Sequence, residues 1–296
     1  MKKYIPTEQE TQYLTSPTWG NGIITKREKR NGIVILRADF NGFWREFNFT
    51  HYHSINVVSY AVVEDEDTIK QRNHQQCIDF LLSRGVQFLI HFTPIENLKF
   101  ILRDGICPRN KQPVKGIYTD DMRLDRHEDA SSISISYPNY VMLYRKRKET
   151  QMNGFAILFI DINALTEIKY DNIAYYQSNA AETINMYSDF KKHVGIDALK
   201  SMFADCVYSK DMEVRRADQQ LSLEYTTHPQ AEILIKQIIP PKYIRKIVLF
   251  DNTTSELLPM NIPSSIIVTS DSTVFWPDTK WSDYEIQRNK GKCDNG

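Results

Sequence analysis

The sequence predicts an α+β protein, with a small all-β module over residues 1–64 ahead of an α+β domain over residues 65–296. Three observations carry that reading. Asn-Gly pairs recur at 21–22, 31–32 and 41–42 between short apolar runs, and Asn-Gly supplies the positive backbone angles that two-residue hairpins need. Glu64-Asp65-Glu66-Asp67 is an acidic run that reads as a linker ending where a helix begins. Beyond it, strand-like apolar runs alternate with stretches of helical periodicity.

Composition narrows the classes. A chain of 296 residues suits one large domain, or a catalytic domain with a small appendage. Lysine plus arginine equals aspartate plus glutamate at 37 each, so no global field draws the protein to nucleic acid or membrane, and any polyanion site must be local. Cys77, Cys107, Cys206 and Cys293 show no CxxC pairing and no histidines at zinc spacing. Neither a metal site nor a disulfide framework is expected, and reduced thiols fit a cytoplasmic protein. The start lacks the apolar core of a signal peptide, and no apolar run approaches the ~20 residues of a membrane span, so no membrane partner is expected.

In the first module, strands are expected at 23–26, 32–38, 43–49 and 54–62. The opening Ser-Pro-Thr-Trp-Gly-Asn-Gly-Ile-Ile is similar to the start of SH3-like, Tudor-like modules, which implies a small five-stranded or nearly five-stranded barrel. Lys26, Arg27, Lys29, Arg30, Arg37 and Arg45 lie near Trp19, Phe43 and Trp44. They form either a basic, aromatic surface for nucleic acid or a protein tail, or a small core with a solvated charged rim.

After the acidic run, a helix reaches Arg84-Gly85, and a strand over 86–92 leads into Thr93-Pro94-Ile95-Glu96. That tetrapeptide reads as a capping box, with Thr93 as cap, Pro94 at the first helical position and Glu96 reaching back. It would set His91 and Thr93 at a helix N-terminus, where an anion is favoured. Residues 107–136 are polar and weakly patterned, which suits a functional loop. Residues 138–144 return to strand character and lead into Arg145-Lys146-Arg147-Lys148, the strongest basic cluster. A buried strand is expected over 155–161, helices over 180–190 and 196–204, and later strands over 243–250 and 266–269. Trp276, Trp281 and Tyr284 give the end of the chain something to bury.

Gln230-Ala231-Glu232-Ile233-Leu234-Ile235 places one carboxylate at the mouth of an apolar strand. Such a glutamate either faces solvent on an edge strand or serves a function. Read as an exposed site carboxylate, it is expected to be removable without loss of the fold.

In order along the chain, His91-Phe92-Thr93, the helix from Ile95 to Ile106, Arg126, a Met142-Leu143-Tyr144 strand and Gln230 to Ile235 resemble the landmarks of the DarT family, NAD-dependent toxins that ADP-ribosylate bases of single-stranded DNA. The resemblance covers residues 86–284. It implies an ADP-ribosyltransferase-like fold, a split mixed sheet with helices clasping NAD, behind an SH3-like barrel. Glu232 and Arg126 would be catalytic, and His91, Thr93, Asn97 and Arg123 would hold the cofactor, with Arg123 the rival of Arg126. Arg145, Lys146, Arg147, Lys148, Arg215 and Arg216 would bind nucleic acid, and a cognate antitoxin protein is implied. No metal is expected. Two segments depart from the family: Tyr225-Thr226-Thr227-His228-Pro229 where basic residues are usual, and residues 133–140. Both touch the acceptor side, leaving the donor reading intact but the base, and DNA or RNA, open; the competing readings are a transferase with a protein acceptor and a non-catalytic nucleic-acid-binding protein.

Overall fold

The computed structural model describes residues 12–16, 20–48, 66–112, 125–150, 154–209, 212–219, 221–276 and 281–286. The chain divides into two compact units, Met1–Lys70 and Gln71–Gly296.

In the first unit, β1 (Gln12–Ser16), β2 (Gly20–Arg30), β3 (Ile33–Phe40) and β4 (Phe43–Asn48) form one antiparallel sheet in chain order. Asn31 and Asn41 have φ of 50° and 53°, and Gly32 and Gly42 follow with 84° and 93°, so both pairs make the hairpin turns their chemistry predicts. Asn21-Gly22 is different, because it lies inside β2, paired with β1. A Cβ on Gly22 would stand 2.6 Å from the Phe40 ring, so this glycine admits a core aromatic and turns nothing. The core is Ile24, Leu36, Ala38, Phe40 and Phe47, while Phe43 and Trp44 are exposed. Arg37 lies over Trp44 at 4.3 Å and pairs with Glu46, which also takes Arg30. Trp19 and the strand expected over 54–62 lie outside the described residues.

The second unit takes up α1 (Glu66–Ser83), in which the division falls, then β5 (Phe88–Pro94), α2 (Leu98–Asp104), β6 (Ser131–Ile135), α3 (Tyr140–Thr150), β7 (Phe155–Asp161) and β8 (Ile173–Tyr176). Next come α4 (Thr183–Met186), α5 (Ile196–Ser201), β9 (Cys206–Ser209), β10 (Met212–Arg215) and α6 (Arg216–Gln219). The last strands are β11 (Glu232–Ile235), β12 (Ile244–Leu249) and β13 (Ile267–Ser270). Seven of these strands form one mixed sheet in the order β13-β12-β7-β5-β6-β11-β8, with β12 and β13 parallel and the other neighbours antiparallel.

Alternation along each strand divides two apolar faces. Leu89, Leu158, Ile160, Ile233, Ile235, Ile247 and Tyr175 pack with Cys77, Ile78 and Leu81 of α1 and Leu98 of α2. The intervening residues join other clusters: Ile90, Ile157 and Val248 pack with Leu143 and Phe275, and Leu234, Ala174 and Tyr176 with Ala130, Ala180 and Phe190. The sheet splits between β5 and β6, whose ladder comprises Leu89↔Ile135 and Ile90↔Ser134. The split mixed sheet of an ADP-ribosyltransferase-like fold is therefore present.

Four local expectations change. Residues 140–144 are helical, not a strand. Asn139 Oδ1 accepts Met142 N–H at 3.0 Å, an N-cap bond that overrides the strand propensity of Tyr-Val-Met-Leu-Tyr. Residues 131–135, expected in a loop, are β6. The capping box does not form, because β5 stays extended to Pro94, paired with Phe155. Pro94 takes the cap position without a side-chain bond, and Thr93 Oγ1 accepts instead from Asn97 Nδ2 at 3.1 Å. The helix expected over 180–190 shrinks to α4, as Asn179 and Asn185 bond backbone groups of the loop itself.

Gly22→Ala should destabilise the first unit by about 1–3 kcal/mol. Hydrogen exchange at β2 and β3 amides should accelerate roughly fivefold or more, with the amides of β7 unchanged.

Candidate active site

Glu232 opens β11, which is flanked by β6 on one side and β8 on the other, so it sits on an interior strand. Its residue exposure is 6%. The expectation of an exposed carboxylate is thereby corrected. A buried carboxylate is costly without donors, and two are built in: Ala180 N–H donates to Oε1 at 2.6 Å, and Ser132 Oγ donates a short bond to Oε2. Both are fixed by the fold, one by a loop after β8 and one by β6.

Ser132 also acts in the other direction. Its carbonyl lies 3.0 Å from His91 Nδ1, and because a carbonyl only accepts, Nδ1 carries the proton. This contact occurs just past the point where the β5–β6 ladder stops. One residue of β6 thus orients Glu232 with its hydroxyl and His91 with its carbonyl. Two residues on along β5 stands Thr93, bonded to Asn97 of the turn that follows, and Glu96 Oε2 on that turn is a buried acceptor without a partner.

Behind Glu232, its cross-strand neighbour is Tyr176. The Tyr176 ring stacks on His193 with centroids 4.0 Å apart, and its hydroxyl meets His127 Nε2 at 3.4 Å. Burial first, and then the Glu232 charge, push the phenol far above its ordinary value, so it stays neutral. His193, bonded to Ser188 Oγ at 2.7 Å, is pulled below its ordinary value by burial.

Arg126 is exposed, with φ of 61°. Its guanidinium lies over the Tyr187 ring at 4.5 Å and bonds the Tyr187 hydroxyl at 3.3 Å. This links it to the segment that follows Ala180. Arg123 lies outside the described residues.

The basic clusters are less available than their sequence suggests. Lys146 is buried and pairs with Glu149 at 3.4 Å. Arg147 is packed over Phe250, Phe275 and Trp276, and burial lowers its pKa. Arg216 is half-buried and staples a loop through Tyr225 O, Ser222 O and Thr227 Oγ1. These three are used inside the protein: helical geometry turns the consecutive Lys146 and Arg147 of α3 inward, and Arg216 opens α6 just past the end of β10. Arg145, Lys148 and Arg215 remain exposed, Arg145 paired with Glu149 and Arg215 with Glu213. Thr226, Thr227 and His228, before the Gln-Ala-Glu, are buried.

Ser132, Ala180 and Tyr176 escaped the sequence reading. The Ser-Ser-Ile-Ser-Ile alternation at 131–135 could have disclosed β6. No sequence signal marks Ala180, which acts through its backbone. Among the described residues, no group of three or more His, Cys, Asp or Glu is placed to hold a metal, and no helix is long and apolar enough to cross a membrane.

The profile of the family described as "ssDNA thymidine ADP-ribosyltransferase, DarT" matches residues 90–275. No curated protein matches. Among solved structures, the chain is similar to Thermus sp. 2.9 DarT in complex with carba-NAD+, at 15% identity and a TM-score of 0.39, covering 64% of this chain and 98% of that one. The same protein in complex with ADP-ribosylated ssDNA matches at 15% identity and 0.42, covering 65% and 97%. Thermosipho africanus DarTG in complex with ADP-ribose matches at 20% identity and 0.40, covering 64% and 51%.

Ser132→Ala should cost about 1–3 kcal/mol, since the buried carboxylate loses a donor, and thermal melts will read the loss. His193 predicts an acid-side slope. Its unfolded form binds a proton near 6.5 and its folded form only at lower pH, so the unfolded state holds more protons in that window and stability falls as pH drops below about 6.5. Melts across pH 5–8 should show a shallower acid-side fall for His193→Gln than for the wild type.

Proposed function

The chain belongs to the DarT family of NAD-dependent ADP-ribosyltransferases, and we propose that Glu232 and His91, aligned by Ser132, form its catalytic centre. NAD supplies ADP-ribose with nicotinamide as the leaving group. As the nicotinamide–ribose bond breaks, positive charge builds on the sugar, and a carboxylate fixed beside it stabilises that charge. The carrying observation is the bridge through Ser132, which orients Glu232 and His91 from opposite sides of β6. His91 bonds the donor's ribose or amide. Thr93, at the end of β5, and Asn97, on the turn that follows, are bonded to each other and stand next to it in the chain to hold the donor.

The acceptor is a thymine base of single-stranded DNA, in keeping with the family description. Arg126 serves it from beside Tyr187, with a catalytic role that rests on the family resemblance, and Arg123 is its rival. Arg145, Lys148 and Arg215 keep exposed charge for phosphates. Residues 1–64 form a separate SH3-like module and residues 65–296 the transferase domain. A bulky ADP-ribose on a template base is incompatible with pairing, so the protein acts in the cytoplasm as a toxin or anti-phage effector restrained by a cognate antitoxin.

Incubation with NAD and separate pools of single-stranded DNA, duplex DNA, RNA and protein should add ADP-ribose mass to single-stranded DNA at thymidine. Label on RNA or protein alone would overturn the acceptor assignment. Glu232→Gln should lower turnover by ~10²-fold or more and abolish toxicity on expression. His91→Ala should raise the NAD dissociation constant in calorimetric titration more than it slows the bound complex.

A further inference from the structure

Glu182 is buried, and nothing in the reaction described above uses it. It stands at the N-cap of α4 but does not cap it. Its side chain turns away from the helix and accepts from Ser209 Oγ of β9 at 2.6 Å and from Ser178 Oγ at 2.9 Å. Both donors are neutral hydroxyls, so the carboxylate carries a desolvation cost that a surface cap would avoid.

What these bonds hold is the loop that carries Ala180. Asn185 Nδ2 donates to Ser178 Oγ at 3.1 Å and to Asn179 O at 2.9 Å. Asn179 Oδ1 accepts Ala181 N–H at 2.8 Å, and Glu182 N–H donates to Asn179 O at 3.0 Å. Asn179 Nδ2 reaches Gln230 Oε1 at 3.4 Å, two residues before Glu232. Ala180, whose N–H holds Glu232 Oε1, is therefore bracketed on both sides by a network that ends on Glu182.

We propose that Glu182 is a positioning residue for the transferase centre, clamping the loop after β8 against β9 so that the Ala180 amide stays aimed at Glu232. This rests on the assignment of Glu232 as the catalytic carboxylate. Removing the Glu182 carboxylate leaves Ser178 and Ser209 without their acceptor and frees Ala180 to drift. Glu232 then loses a fixed donor, while the Ser132–His91 contact on the NAD side is untouched. The defect belongs in kcat and not in KM for NAD. Glutamine restores most of it, since its oxygen accepts from one hydroxyl and its amide donates to the other.

The test is a mutant cycle on the full chain with NAD and single-stranded DNA: wild type, Glu182→Ala, Glu182→Gln, Glu232→Gln and the Glu182→Ala/Glu232→Gln double variant. Glu182→Ala is expected to lower kcat by about tenfold or more with KM for NAD within about twofold, and Glu182→Gln to recover most of the loss. In the Glu232→Gln background, Glu182→Ala should cost nothing further, because a residue that acts only through Glu232 has nothing left to position. Equal loss in both backgrounds, or a loss in KM alone, would overturn the inference and leave a merely structural carboxylate. Ser209→Ala removes one hydroxyl and keeps the carboxylate. It should show the same kcat-selective defect if Glu182→Ala fails to fold, and an unchanged kcat would count against the clamp. Full turnover by Glu232→Gln would sink the Glu232 assignment and the inference with it, whereas additive losses beside a crippled Glu232→Gln sink the inference alone.

Discussion

A carboxylate at the start of an interior strand must be held by donors that the fold itself supplies, and the second unit is arranged to supply them to Glu232. β6 contributes the Ser132 hydroxyl and the loop after β8 contributes the Ala180 amide. One donor belongs to a strand of the sheet and the other is a backbone amide, so the carboxylate is oriented by the fold itself. Such preorganisation is what electrostatic catalysis requires, since reorienting donors during a reaction would consume the stabilisation they give.

The split between β5 and β6 brings His91 to the same residue of β6. Where the ladder ends, the Ser132 carbonyl is taken by the His91 imidazole. A backbone group that would otherwise complete a sheet becomes the orienting partner of a site residue. On the faces of the sheet, apolar alternation packs α1 and α2 on one side and α3 on the other, which fixes the strands rigidly enough for single hydrogen bonds to define positions.

Charge in this protein is used more for assembly than its sequence suggests. Arg147 lies among three aromatic rings, Lys146 is buried against Glu149, and Arg216 ties down the loop that leads towards β11. Half of an apparent basic cluster can therefore be structural. Of the two runs, Arg145, Lys148 and Arg215 are the members that keep their charge at the surface.

Much of the architecture was legible in the residues themselves. The hairpins at Asn31-Gly32 and Asn41-Gly42 and the strand at Phe155–Asp161 follow from local chemistry, because turn angles and apolar periodicity are properties of neighbours in sequence. Local reading failed where distant residues decide. Asn21-Gly22 joins a strand because Phe40 needs its space. Residues 140–144 coil because Asn139 caps them, and Glu232 is buried because β6 and β8 close over it. Ser132 and Ala180 acquire their roles from hydrogen bonds to residues 100 and 52 positions away. The sequence by itself determined which segments extend or turn and which side chains could do chemistry. Only the tertiary structure decided which of them meet, since burial and hydrogen-bond partners are set by contacts between segments far apart in the chain.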